Sequence, residues 1–154
     1  MTPRLDNPMK LAPQAIKAMM AVEASFKESG IEPELLELMR LRASQINGCA
    51  YCIHMHVTSL RQHGVSEMRL HMLNAWRESS FYSARERAAL GWTEALTLLA
   101  ETGAPDADYA LLKAEFSETE QAHLSLVIGA INLWNRLQVG FRAAHPVEDA
   151  GGAA

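Results

Sequence analysis

Pro33-Glu-Leu-Leu-Glu-Leu-Met-Arg-Leu-Arg-Ala-Ser-Gln-Ile46 runs into Asn47-Gly48 and then into Cys49-Ala-Tyr-Cys-Ile-His-Met-His56. Pro33 suits the first turn of a helix, where its missing N–H costs nothing. Leu35, Leu36, Leu38, Met39, Leu41 and Ile46 carry that helix towards Gly48 and are apolar on more than one face, which predicts deep burial. Gly48 separates it from a third helix, about Ala50 to His63, which Gly64 ends.

The same punctuation extends outward in both directions. Residues 1 to 8 read as an extended lead-in. A first helix is predicted from about Pro13 to Glu28, with an apolar stripe of Ile16, Met19, Met20, Val22 and Phe26, and Gly30 suits its stop. Ser66 can cap a short helix through Leu73. Ser83-Ala-Arg-Glu86 and Ser117-Glu-Thr-Glu120 have capping-box spacing, a short side-chain acceptor three residues before a Glu. The first box opens a helix that Gly103-Ala-Pro105 stops, and a short helix about 107–116 follows. The second opens a long helix to about Ala143, and the tail 145–154 reads as loose. Ala, Leu and Met are abundant, aromatics are only 6%, and no stretch alternates as a strand does. The expectation is an all-α single helical bundle of about six or seven helices, one domain over 1–154.

Composition narrows the function. The net charge is -4, from 14 basic and 18 acidic residues, with no Lys/Arg cluster, so no nucleic-acid partner is expected. Apolar runs such as Leu124–Ile131 are too short to span a bilayer, and the first residues lack a signal pattern. Those features predict no membrane association and a cytoplasmic location. Thiols are kept reduced there, and a disulfide tends to be catalytic or sensing. The chain has 2 cysteines, at positions 49 and 52.

On a helix each residue advances about 100°. With Cys49 at zero, Cys52 falls near 300° and His56 near 340°, roughly one stripe, whereas His54 lands near 140°, roughly opposite. The segment therefore presents a dithiol and one imidazole together. A helix N-terminus favours the thiolate, and an imidazole one turn on can take the thiol proton. A second thiol lets an oxidised sulfur resolve to a disulfide. Other readings stay open. Both cysteines could be small core residues. Cys49, Cys52 and His56 could be three ligands of a structural zinc, although that metal normally takes four and there is no second Cys pair. A disulfide that alters assembly or partner binding would make the chain a redox sensor. His63, His71, His123 and His145 are weaker signals, and Trp76, Trp92 and Trp134 read as packing or interface residues.

Glu37 lies twelve residues before Cys49, in a stretch flanked by Leu36 and Leu38 where an unpartnered carboxylate is costly. Glu37 followed by Cys49-x-x-Cys52-x-x-x-His56 resembles the signature of the alkylhydroperoxidase AhpD-like branch of the carboxymuconolactone decarboxylase family. Thr2-Pro-Arg-Leu5, the Leu35-to-Ile46 helix, and Ile131-Asn-Leu-Trp-Asn-Arg136 followed by Val139 extend the likeness over most of the chain. The resemblance implies an all-helical fold assembled as a homo-oligomer (dimer, trimer or hexamer). It also implies reduction of a hydroperoxide through the cysteine pair, regenerated by an external dithiol or thiol reductant; the sequence carries no haem, flavin or nicotinamide fingerprint, so no cofactor is expected. By that likeness Cys52 attacks the peroxide, Cys49 resolves, and Glu37 and His56 relay protons with a water. Helix electrostatics alone would favour Cys49 as the more acidic thiol. One departure is plain: the best-known peroxidase members carry a histidine immediately before the second cysteine, where this chain has Tyr51. The lactone decarboxylase branch lacks the cysteine pair, so that activity is not expected.

Overall fold

A computed structural model of the chain describes residues 2–146. Its order is α1 (Pro8–Leu11), α2 (Pro13–Ser25), a 3-10 turn Phe26–Glu28, α3 (Pro33–Ile46), α4 (Ala50–Gln62), α5 (Glu67–Met72) with a 3-10 turn Leu73–Ala75, α6 (Ala84–Thr97), α7 (Leu99–Thr102), α8 (Asp106–Glu115) and α9 (Glu118–Phe141). No strand occurs among the described residues. Among the described residues nine helices stand where six or seven were expected, because Pro8 opens a helical turn within the lead-in and the helix after Ser83 breaks at Leu98. There φ is -100° and ψ 31°, and the Thr102 hydroxyl donates to the Ala95 carbonyl that the break leaves open. Both predicted capping boxes form in full, at Ser83/Glu86 and Ser117/Glu120. The predicted loose tail beyond 146 lies outside the described residues.

α3 is the central element and packs against α4, α6 and α9. Its apolar residues divide between two cores. Leu35, Leu36 and Met39 join Leu112, Phe116, Leu124, Val127 and Ile128. Leu38 and Leu41 join Leu60, Leu73, Trp76 and Leu90. This is why α3 reads as apolar on more than one face: it is buried from two sides. The remaining face is polar. At about 100° per residue Glu37, Arg40, Ser44 and Asn47 fall within about 80° of one another, and this stripe meets α2, α4 and α9.

α2 departs from its reading. None of its residues is buried, and Met20 and Val22 stand 56% and 44% exposed. Of the predicted stripe Phe26, just past the helix, is buried, Ile16 and Met19 are half-buried, and Met20 and Val22 lack cover among the described residues. No helix of the described residues is long and apolar enough to cross a membrane.

Candidate functional site

The turn from α3 to α4 sets the site. Gly48 takes φ +64°, a left-handed conformation that favours glycine. The chain reverses there and leaves Cys49 as the N-cap of α4, with Cys52 inside the first turn. The Cys52 N–H donates to Cys49 Sγ at 3.3 Å, so the cysteine sulfur occupies the place of a capping oxygen. Cys49 and Cys52 are joined as a disulfide with Cα atoms 5.4 Å apart. Both are buried, but only Cys52 lines a cavity of about 350 Å³ whose walls include His56, Glu37, Tyr51, Met20, Met55 and Trp134.

His56 follows one turn after Cys52 and is 4% exposed. Its Nδ1 lies 2.9 Å from Glu37 Oε2 on α3. The other carboxylate oxygen, Oε1, accepts from Arg40 at 2.9 Å. Burial pushes the Glu37 carboxyl up, but the hydrogen bond and charge of His56, and then the Arg40 guanidinium, outweigh it and hold the carboxyl down at about 2. Glu37 is therefore ionised at neutral pH and can only accept. Nδ1 of a neutral His56 must carry the ring proton, which leaves Nε2 with its lone pair. Nε2 is buried and has no hydrogen-bond partner among the described residues. A buried base with a free lone pair, oriented by a carboxylate through its other nitrogen, can take a proton from a neighbouring thiol.

The four residues singled out from the sequence, Cys49, Cys52, His56 and Glu37, thus converge. The network goes further than the sequence indicated. Arg40 also donates to Glu23 on α2 at 2.9 Å, and Glu23 accepts from Trp134 Nε1 on α9 at 3.0 Å. Trp134, expected to pack or form an interface, is a wall of the cavity. The polar stripe of α3 was the available signal for Arg40; nothing local marked Glu23, which reaches the site only through tertiary packing. His54 is directed elsewhere, as its helical angle predicts, and stacks on His145 with ring centroids 5.7 Å apart. His63 and His71 are exposed, and His123 is half-buried. No group of three His, Cys, Asp or Glu that could hold a metal ion is found among the described residues.

A linkage consequence can be measured. The folded-state carboxyl of Glu37 is held at about 2, below its ordinary 4.5. Its stabilising contribution is full above about pH 4.5 and is lost as pH falls towards 2. Glu37→Gln should therefore lower the melting temperature at pH 7 and flatten its acid dependence between pH 4.5 and 2. Parallel melting curves for wild type and variant across that interval would contradict the ionised assignment.

Comparison with known proteins agrees with this all-helical fold. Residues 12–95, more than half of the chain, match the sequence profile of the carboxymuconolactone decarboxylase family. The uncharacterised protein YdfG of Bacillus subtilis (strain 168) is 41% identical over 137 residues, covering 88% of this chain and 93% of that protein. A crystal structure of a protein of unknown function from Agrobacterium tumefaciens, described as a candidate antioxidant defence protein AhpD, superposes with a TM-score of 0.91 at 49% identity, covering 96% of this chain and 100% of that one. A peroxidase-related protein of Ralstonia eutropha JMP134, an alkylhydroperoxidase AhpD core, shares the fold at a TM-score of 0.78 and 17% identity, covering 95% of this chain and 78% of that one. With its profile match, its close relatives and its all-helical fold, the chain belongs to the carboxymuconolactone decarboxylase family and is AhpD-like.

Proposed function

We propose that the protein is a thiol-dependent peroxidase that reduces hydroperoxides through Cys49 and Cys52. The observation that carries this reading is the opening of Cys52 onto a cavity beside His56, whose Nε2 is bare because Glu37 holds Nδ1. His56 Nε2 takes the Cys52 proton. The thiolate attacks the distal oxygen of the hydroperoxide, the O–O bond breaks, and the alcohol leaves with the proton returned from the imidazolium. Cys52 becomes a sulfenic acid. The Cys49 thiol then attacks that sulfur, water leaves, and the disulfide forms. An external dithiol restores both thiols with two electrons and two protons.

The test is turnover. With tert-butyl hydroperoxide and dihydrolipoamide, an enzyme consumes many equivalents of peroxide per chain, whereas a redox sensor oxidises once and stops. Consumption of a single equivalent would sink the peroxidase reading. Tyr51 lines the same cavity as Cys52, and Tyr51→His tests whether a second imidazole there raises the rate.

The reading includes self-association. Val22, Leu126 and Leu133, 44%, 58% and 45% exposed, line an apolar groove between α2 and α9. Clustered exposure of large apolar residues marks association surfaces. Light scattering should give a multiple of the 17.0 kDa chain mass. A mass equal to one chain at micromolar concentration would contradict it.

A further inference from the structure

A second polar cluster lies beneath the Cys49 turn, and the proton relay does not use it. Asn47 Nδ2 donates to Asn135 Oδ1 at 2.8 Å and to Asn132 Oδ1 at 3.0 Å. Asn135 Nδ2 donates to Ser44 Oγ at 3.0 Å, and Asn132 Nδ2 donates to Thr97 Oγ1 at 3.1 Å. Ser44 is 0% and Asn135 1% exposed. Buried amides contribute little to net stability beyond what apolar side chains of the same shape supply, but they impose a particular arrangement. The arrangement here is specific. Asn47 stands two residues before Cys49, and the Cys49 N–H donates to the Ser44 carbonyl at 3.0 Å. The turn is thereby fastened to α9 at Ser44 and Asn47, and Cys49 is tied back to Ser44.

We propose that the Ser44–Asn135–Asn47–Asn132 cluster is a redox-positioning device that holds Cys49 against Cys52 and so favours closure of the disulfide. The inference rests on the dithiol–disulfide cycling of the proposed function, but it requires only reversible closure and no peroxide. Its physical basis is an entropy difference. In the disulfide form the S–S bond already constrains the turn, and cutting the amide anchor frees little. In the dithiol form nothing covalent holds Cys49, and cutting the anchor releases backbone freedom at Asn47, Gly48 and Cys49. Loss of the anchor therefore stabilises the dithiol relative to the disulfide. An anchor that acted equally on both states would leave the equilibrium where it was.

Equilibration in glutathione buffers measures this directly. The protein disulfide accepts two electrons and two protons from two glutathione thiols, which leave as glutathione disulfide, and alkylation with mass analysis counts the free thiols. Asn47→Ser should lower the constant for disulfide formation about tenfold, a potential about 30 mV less negative for a two-electron couple. Ser44→Ala, which cuts only the far end of the cluster, should move it in the same direction by less. Ser44→Ala also keeps the test decisive should Asn47→Ser fail to fold. Thr93→Val removes a buried hydroxyl of α6 that bonds the Ala89 carbonyl, outside the cluster, and should leave the constant within twofold of wild type. Constants within twofold of wild type for both cluster variants overturn the proposal, as does an equal shift in Thr93→Val. The expected shift in a chain that shows no peroxide turnover supports the positioning role and counts against the peroxidase reading alone. A wild-type chain that forms no Cys49–Cys52 bond in any buffer overturns both.

Discussion

Cys52→Ser should reduce steady-state consumption of tert-butyl hydroperoxide to the buffer background, because a serine hydroxyl is neither ionised at neutral pH nor able to store two oxidising equivalents. Cys49→Ser should lose turnover as well, but by a different route. Its Cys52 can still attack the peroxide once, form a sulfenic acid and stop for want of a resolving thiol. Dimedone, which traps sulfenic acids, should therefore label Cys52 in the Cys49→Ser chain and leave Cys49 nearly unlabelled in the Cys52→Ser chain. The physical reason is access. Both sulfurs are buried, yet only Cys52 faces the cavity, whereas Cys49 caps α4 and is fastened through the turn to α9. Helix electrostatics argue the other way, since Cys49 lies nearer the helix terminus. Strong labelling of Cys49 in the Cys52→Ser chain would show that acidity rather than access selects the attacking sulfur.

His56→Ala should produce the next largest loss. Without a base beside it the Cys52 thiol reverts towards the behaviour of a free cysteine near pKa ~8.5, of which only about 3% is thiolate at neutral pH. Iodoacetamide alkylation of the reduced protein at pH 7 should then slow by up to about thirtyfold, and the deficit should vanish as pH rises past the thiol's own ionisation. Peroxide reduction should fall further, by about 10²- to 10⁴-fold, because the same ring also returns a proton to the departing alkoxide. Glu37→Gln should lie between, since it acts on the sulfur only by orienting the imidazole. His54→Ala is the control: its ring stacks on His145, away from the Cys52 cavity. Equal alkylation profiles for His56→Ala and wild type would end the proton-relay reading.

Much of the architecture was legible because it depends on local chemistry. The two capping boxes, Pro33 at the head of α3 and Gly48 at the turn each act within a few residues, and their consequences survive folding unchanged. The coincidence of Cys52 and His56 on one side of α4 follows from helical period alone. Glu37 was legible for a different reason: a carboxylate among leucines in a buried helix requires a partner, and only the family resemblance grouped it with His56.

Arg40, Glu23, Trp134 and the amides at Asn47 and Asn135 were not legible as a set, because each is ordinary in its own segment. Glu23 sits on a helix with no buried residue, and Trp134 lies 111 positions further along the chain. Sequence by itself determined most of the helices, their capped ends and the placing of Cys52 and His56 on one side of α4, all of which depend on hydrogen bonds and rotations spanning a few residues. Tertiary structure alone decided which sulfur meets the cavity, which nitrogen of His56 is bare and what holds Glu37 ionised. Those properties arise where α2, α3, α4 and α9 bring distant side chains within hydrogen-bond reach, and no short-range rule encodes that approach.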